Sequence, residues 1–519
     1  MSRLHASQDG WIRISAGAGA APAVSGQARF FKGYAVDGGD GVFAKWDWDG
    51  ERLRASTCAT GFLPLYYYAD GQQAVLATSI AGLFAASGKA PRICPASLGV
   101  LLRLGFLVGD HTPFEGVRLL GPQGTLTWRP GGGPEVSSSY LQVQETRADH
   151  ARESYAALFR ASMERIAAVM AGDFAVPLSG GRDSRHIALE LYRMGCTPRF
   201  ALTARHLPPR NDEDVRVASE LCGTMRWPHR VVRQPVLGQY AQECAHAQAV
   251  DFMTYEHAWT MPVRAALHDS GVAGVFDGVG GDVLSAGLFQ DEQLLGRYLD
   301  GDIESVRRGL LASWSQLGGE DALEDTLGPL LAGACTPGAA EELIDAELRR
   351  HLGQPNPLKS FYFWNRSRRG TGLLPFRILS RHVAYAPYLD RTLLAFLLGL
   401  PPGATRDKRL HTDAIAIADP VIGAIPYEDK HARAPRQRLS DRVAFYAPMI
   451  ARSMTSGGYV NGRFVAPRAA RACLLGGDLQ STWWKPRRVA YLASLARFVH
   501  QFNPDTRTQG TANYAFNDR

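Results

Sequence analysis

The chain has 519 residues, 45% of them hydrophobic and 21% charged, a balance that excludes disorder and points to more than one folded core. No uninterrupted apolar run reaches the roughly 20 residues that span a bilayer, and the opening residues lack an apolar signal segment, so a cytoplasmic protein without a membrane partner is expected. The net charge of +7 admits an acidic partner, but its visible clusters, at 366–369 and 430–438, fit a solvated face or a polyphosphate pocket as readily as nucleic acid, and nucleic acid is disfavoured. Seven scattered cysteines without a C-x-x-C pair argue against a disulfide framework, a zinc ribbon or a thiol relay.

Residues 1–145 read as a β-rich domain, because aromatic and β-branched runs at 28–36 and 63–68 are punctuated by Gly and Asp turns such as 37–41. The stretch 128–135, with Pro130, three glycines and Pro134, reads as a turn or linker near the end of that domain. From about Asp149 the period becomes helical, and strand and helix then alternate. Strands are expected at 173–178, 199–203, 231–232 and 272–276. Helices are expected at 184–193 and at 211–221, the latter started by Asn211 and closed by Gly223. This alternation predicts an α/β fold with a parallel sheet covered by helices over 150–502, largely helical beyond about 295, followed by a polar tail at 503–519.

The most informative segment is Ser179-Gly180-Gly181-Arg182-Asp183-Ser184, between a strand and an amphipathic helix. Ligands bind at such junctions in α/β sheets. The glycines let backbone approach an anion, the helix start offers N–H groups and a positive dipole end, and both serines add hydroxyl donors. Asp183 would repel phosphate unless a cation lies between them, which assigns it to Mg²⁺ on a nucleotide. The loop lacks the Walker Gly-x-x-x-x-Gly-Lys pattern. A second glycine-rich turn, Asp277-Gly278-Val279-Gly280-Gly281-Asp282, also follows an apolar run, and on a neighbouring strand it places Asp282 opposite Asp183 across one metal.

These two segments resemble those of the asparagine synthetase family of N-type ATP pyrophosphatases, whose first motif is Ser-Gly-Gly-x-Asp-Ser and whose second is a Gly-rich turn ending in Asp. The resemblance covers about residues 150–440 and continues through Tyr385-Ala386-Pro387-Tyr388-Leu389-Asp390, Lys408-Arg409 and Lys430. It implies an adenine-nucleotide α-hydrolase-like synthetase domain that cleaves ATP to AMP and pyrophosphate with Mg²⁺. It also implies nucleotide contacts from Leu178, Ser179, Gly180, Gly181, Asp183, Ser184, Thr203 and Gly278, metal at Asp183 and Asp282, and catalytic roles for Asp183, Asp282 and Lys430. Lys430 would stabilise an oxyanion or the phosphates, although it also begins an exposed-looking basic run. The expected reaction is ATP-dependent amide-bond formation: a carboxylate is activated as an acyl-adenylate and passed to an amine.

Two departures narrow that expectation. Glutamine-dependent members use an N-terminal cysteine, whereas position 2 is Ser2 and the first cysteine is Cys58, so 1–145 resembles a truncated Ntn-like glutaminase domain that has lost its chemistry. Position 279 is a valine where relatives carry a glutamate or tyrosine, and valine does no acid–base work. Tyr255, Glu256 and His257 are candidate substitutes on a helix-like stretch, where a lone histidine is more often structural. The substrates left open are aspartate with ammonia, or a precursor peptide or specialised metabolite as in the lasso-peptide cyclases. Base modification in tRNA and nucleotide binding without turnover are the alternatives of other classes.

Overall fold

A computed structural model describes residues 5–6, 9–16, 21–208, 210–288, 291–315, 320–433, 435–476 and 485–502. Ser2 and the tail at 503–519 lie outside the described residues.

The chain is α/β. Its first 137 residues build two antiparallel sheets, of six and five strands, with helices Ile80–Ser87 and Pro95–Leu104. The long pair Arg29–Ala35 and Gly41–Trp48 is joined by the predicted turn at 37–41, where Gly38 and Gly39 take φ of +81° and +78°. Residues 128–135 take the turn reading and not the linker one. They close a hairpin between Thr125–Trp128 and Glu135–Ser137, because those flanking segments pair in register and add an edge to the six-stranded sheet.

The rest of the chain is organised by five parallel strands in the order His229–Arg233, Phe200–Arg205, Phe174–Pro177, Gly274–Phe276, Val383–Tyr385. Chain order therefore runs outward from Phe174–Pro177 in one direction and resumes on its other side with Gly274–Phe276. That reversal leaves a crevice at the carboxyl ends of these two strands, the switch point where open α/β sheets hold ligands. Phe174, Ala175, Val176, Val275 and Phe276 are buried, as strands covered on both faces require.

Several local expectations are corrected. The helix expected to start at Asn211 and stop at Gly223 spans Glu213–Met225; Gly223 is inside it and Arg226, at φ +56°, provides the left-handed exit. Residues 251–257 form an irregular connection and no helix, since Asp251, Phe252 and His257 all adopt positive φ. The Asp251 carboxylate accepts the Ile80 N–H instead (3.0 Å). The fifth strand, Val383–Tyr385, lies in the region read as helical; its three residues are too few to show a period. Two segments of that region, Tyr362–Thr371 and Leu374–Ile378, are wound as π-helix, a form often found at functional sites.

The two regions share a core. Phe62 packs on Phe363 and Phe376, Tyr34 packs on Tyr385, and the Ala386 N–H donates to the Tyr34 hydroxyl (3.2 Å).

Candidate functional site

A cavity of about 760 Å³ opens at the switch point. It is built from the turn after Phe174–Pro177, the end of Phe200–Arg205, the turn after Gly274–Phe276, the start of the Thr260–Ser270 helix, the π-wound segments and residues 428 and 430. Leu178, Ser179, Gly181, Asp183, Ser184, Thr203, Gly278, Asp282 and Lys430, all candidates from sequence, line this one space.

The first turn is held mainly by its own hydroxyls. Ser184 Oγ accepts the Ser179 N–H (3.1 Å), and Ser179 Oγ accepts the Gly181 N–H (3.2 Å) and lies 3.2 Å from Ser184 Oγ. Gly180 is the one candidate of this turn that does not line the cavity. Its N–H donates to Asp214 Oδ1 (2.8 Å), so it anchors the turn to the Glu213–Met225 helix rather than lying open to an anion. The following helix, Asp183–Arg193, starts without a side-chain cap, which leaves first-turn N–H groups and the positive dipole end beside the cavity. The Thr203 hydroxyl is likewise committed, donating to the Leu178 carbonyl (2.7 Å) and lying 2.9 Å from His229 Nε2.

The second turn packs directly onto the first. A Cβ at Gly281 would stand 2.5 Å from Asp183 Oδ1, and one at Gly278 would stand 2.7 Å from the Asp183 Cβ. Only glycine at these two positions allows the approach. Gly280 reverses the chain at φ +90° and starts the short helix that carries Asp282.

The electrostatics follow from that approach. Burial, reinforced by the neighbouring carboxylates of Asp282 and Asp277, pushes the Asp183 carboxyl well above its ordinary range. Burial also raises Asp277 to about 7, against the Val279 N–H that it accepts at 2.8 Å. The Asp183 side chain is 29% exposed and faces the cavity. Carboxylates crowded in this way are relieved either by protonation or by a cation. Among the described residues no three His, Cys, Asp or Glu side chains converge tightly enough to hold a metal by themselves. Such a donor set fits Mg²⁺, which commonly takes one or two carboxylates and completes its shell with substrate phosphate and water.

Residues 425–430 are clamped over the first turn. Arg182 and Arg185 stack on Tyr427, each with its guanidinium 4.0 Å from the ring centroid, and Arg185 also donates to the Pro426 carbonyl (3.1 Å). This brings Glu428 and Lys430 to the cavity. Glu428 Oε2 is buried without a hydrogen-bond partner, while Lys430 is 73% exposed with its Nζ 3.8 Å from Glu428 Oε1.

Other candidates from sequence lie elsewhere. Arg409 lines a separate surface hollow, and Lys408 forms the left-handed cap before the Arg409–Ala418 helix. Asp390 caps the Arg391–Gly399 helix and pairs with Arg165. Tyr255, Glu256 and His257 stand outside the cavity: Glu256 pairs with Arg366 (3.4 Å), and His257 Nδ1 accepts the Trp259 indole N–H (3.3 Å). Burial lowers His257 to about 3, leaving it neutral. None of the seven cysteines lines the cavity.

Sequence reasoning did not select Asp214, Asp277, Glu428 or the wall of Thr371, Leu374, Ile378 and Leu379. Asp277 had a signal, because it opens the second turn on the same apolar strand. No family model matches this chain, and no curated protein does.

Proposed function

We propose that this chain is an ATP-dependent ligase that activates a carboxylate as an acyl-adenylate and transfers the acyl group to an amine, with a catalytic region similar to that of the asparagine synthetase family. The observation that carries this reading is the meeting of two glycine-rich turns, each bearing an aspartate, at the switch point of a parallel sheet. Asp183 and Asp282 would hold Mg²⁺ on the nucleotide, and that ion would neutralise charge on the departing pyrophosphate.

The chemistry needs two displacements. A carboxylate oxygen attacks the α-phosphorus and pyrophosphate leaves; the amine nitrogen then attacks the acyl carbon, AMP leaves, and the nitrogen gives up a proton. Lys430 at the mouth supplies a positive charge to the phosphates. The Asp183–Arg193 helix start adds its N–H groups at the point where negative charge gathers.

Val279, Leu374, Ile378 and Leu379, which line the same cavity, favour an acyl donor or amine with apolar surface, a peptide or specialised metabolite, over free aspartate. The absence of a cysteine from the cavity weighs against thiol-dependent base modification.

The test is pyrophosphate release from Mg²⁺ and ATP by the purified protein, with a panel of carboxylates, amines and peptides, beside Asp183→Ala. Release that requires both a carboxylate and Asp183, reduced about 100-fold or more in the variant, is expected. Saturable nucleotide binding without release across the panel would instead assign a non-catalytic nucleotide sensor.

A further inference from the structure

Beneath Asp183 lies a buried polar chain that the proposed reaction does not use. His411, fully buried on the Arg409–Ala418 helix, places Nδ1 2.9 Å from Ser285 Oγ and 3.5 Å from Asp183 Oδ1. Its Nε2 lies 3.1 Å from the Tyr388 hydroxyl. Ser285 donates its single hydroxyl proton to the Gly281 carbonyl (2.7 Å), so in the 2.9 Å contact the imidazole Nδ1–H is the donor and Ser285 Oγ the acceptor. With the proton on Nδ1, Nε2 is the acceptor for the Tyr388 hydroxyl, whose proton is shared between this 3.1 Å contact and the Asp183 backbone carbonyl (3.4 Å), so it is the Ser285 bond that assigns the tautomer.

The consequence is geometric. The polar edge of His411 faces the Asp183 carboxylate of the first turn and, through Ser285, the Gly281 carbonyl of the second. The adjacent Thr412 reinforces the tie, since its Oγ accepts from Arg182 Nε (2.9 Å). One helix, remote in sequence from both turns, thereby touches each of them.

We infer that His411 is a positioning residue that sets the orientation of the Asp183 carboxylate toward a divalent cation: its Nδ1 edge stands 3.5 Å from Oδ1, and its Nδ1–H holds Ser285 and thereby the Gly281 backbone packed against that carboxylate. The inference rests on the reading of Asp183 as a metal ligand. Partners that orient a ligating carboxylate typically change metal affinity by about 10- to 100-fold when removed.

The experiment is a Mn²⁺ titration followed by electron paramagnetic resonance, in the presence of α,β-methylene ATP, whose α–β bridge resists cleavage. It compares the full chain with His411→Ala, His411→Asn, His411→Gln and Asp183→Asn, with thermal unfolding of each as the structural control. Asparagine presents an amide N–H near the place of Nδ1, and glutamine near that of Nε2. The expected result is Mn²⁺ affinity weakened about 10-fold or more in His411→Ala, regained in His411→Asn, and not regained in His411→Gln. Unchanged affinity in His411→Ala, or losses that follow only the thermal destabilisation of the three variants, overturns the inference while leaving the cation site standing. Failure of the unaltered chain to bind Mn²⁺, or undiminished binding by Asp183→Asn, overturns the metal assignment and the inference together.

Discussion

Two clusters of aspartates reach opposite outcomes. Where the antiparallel sheets meet the parallel-sheet region, Arg377 pairs with Asp9 (3.1 Å) and with buried Asp251, and Lys32 also pairs with Asp9. Burial alone would raise Asp9, yet Arg377 and Lys32 outweigh it and hold the carboxyl down to about 2. At the switch point, Asp183, Asp277 and Asp282 face a cavity, and Asp183 is raised by burial and by its like-charged neighbours. The first cluster is complete within the protein and reads as structural. The second gathers like-charged carboxylates beside an open space, the feature on which the proposed cation site rests.

The largest effect on stability belongs to the complete cluster. Arg377→Ala strands buried Asp251, while half-exposed Asp9 keeps Lys32, and breaking the buried Arg377–Asp251 pair costs about 3–5 kcal/mol, measurable by denaturant unfolding. A cost below about 1 kcal/mol would dissolve the contrast, because the interface charges would then be as dispensable as exposed pairs. Gly281→Ala tests the other cluster. Its Cβ has to displace the Asp183 carboxylate, with an expected destabilisation of about 1–3 kcal/mol and a disproportionate loss of Mn²⁺ binding.

Acidity separates the clusters further. With Asp277 raised to about 7, the folded state holds more protons than the unfolded chain between its ordinary carboxylate range and about pH 7, so this residue's contribution to stability falls as pH rises through that window. Asp9 has the opposite sign: its contribution is present above the ordinary range and is lost as pH falls toward 2. Melting curves across pH for Asp277→Asn should show a shallower decline toward neutrality, the remainder belonging to raised Asp183, and should keep the acid limb. The smallest effect is expected from Lys430→Ala, which at an exposed position should alter stability by no more than about 0.5 kcal/mol while weakening nucleotide binding. A large stability loss there would show that residues 425–430 depend on more than the Arg182 and Arg185 stacking.

The contrast also explains what the sequence disclosed. The convergence of 179–184 and 277–282 on one cavity was legible because a loop between strand and helix gathers its polar and glycine residues consecutively. His411, Glu428 and Asp214 were hidden, since each reaches the site from a distant helix or loop whose own pattern is ordinary. The strand Val383–Tyr385 escaped because three buried residues carry no period, and the π-wound segment because its apolar spacing matches no simple template. Misreading 251–257 as helix-like arose from three non-glycine residues in left-handed conformations, which tertiary contacts impose and propensity does not foresee.

The most direct test is a crystal of the chain grown with Mn²⁺ and α,β-methylene ATP, with the metal located by its anomalous scattering. The account predicts a peak about 2 Å from carboxylate oxygens of both Asp183 and Asp282, with the triphosphate along the 179–184 turn. A nucleotide bound outside this cavity, or one inside it whose metal avoids both aspartates, would contradict the account.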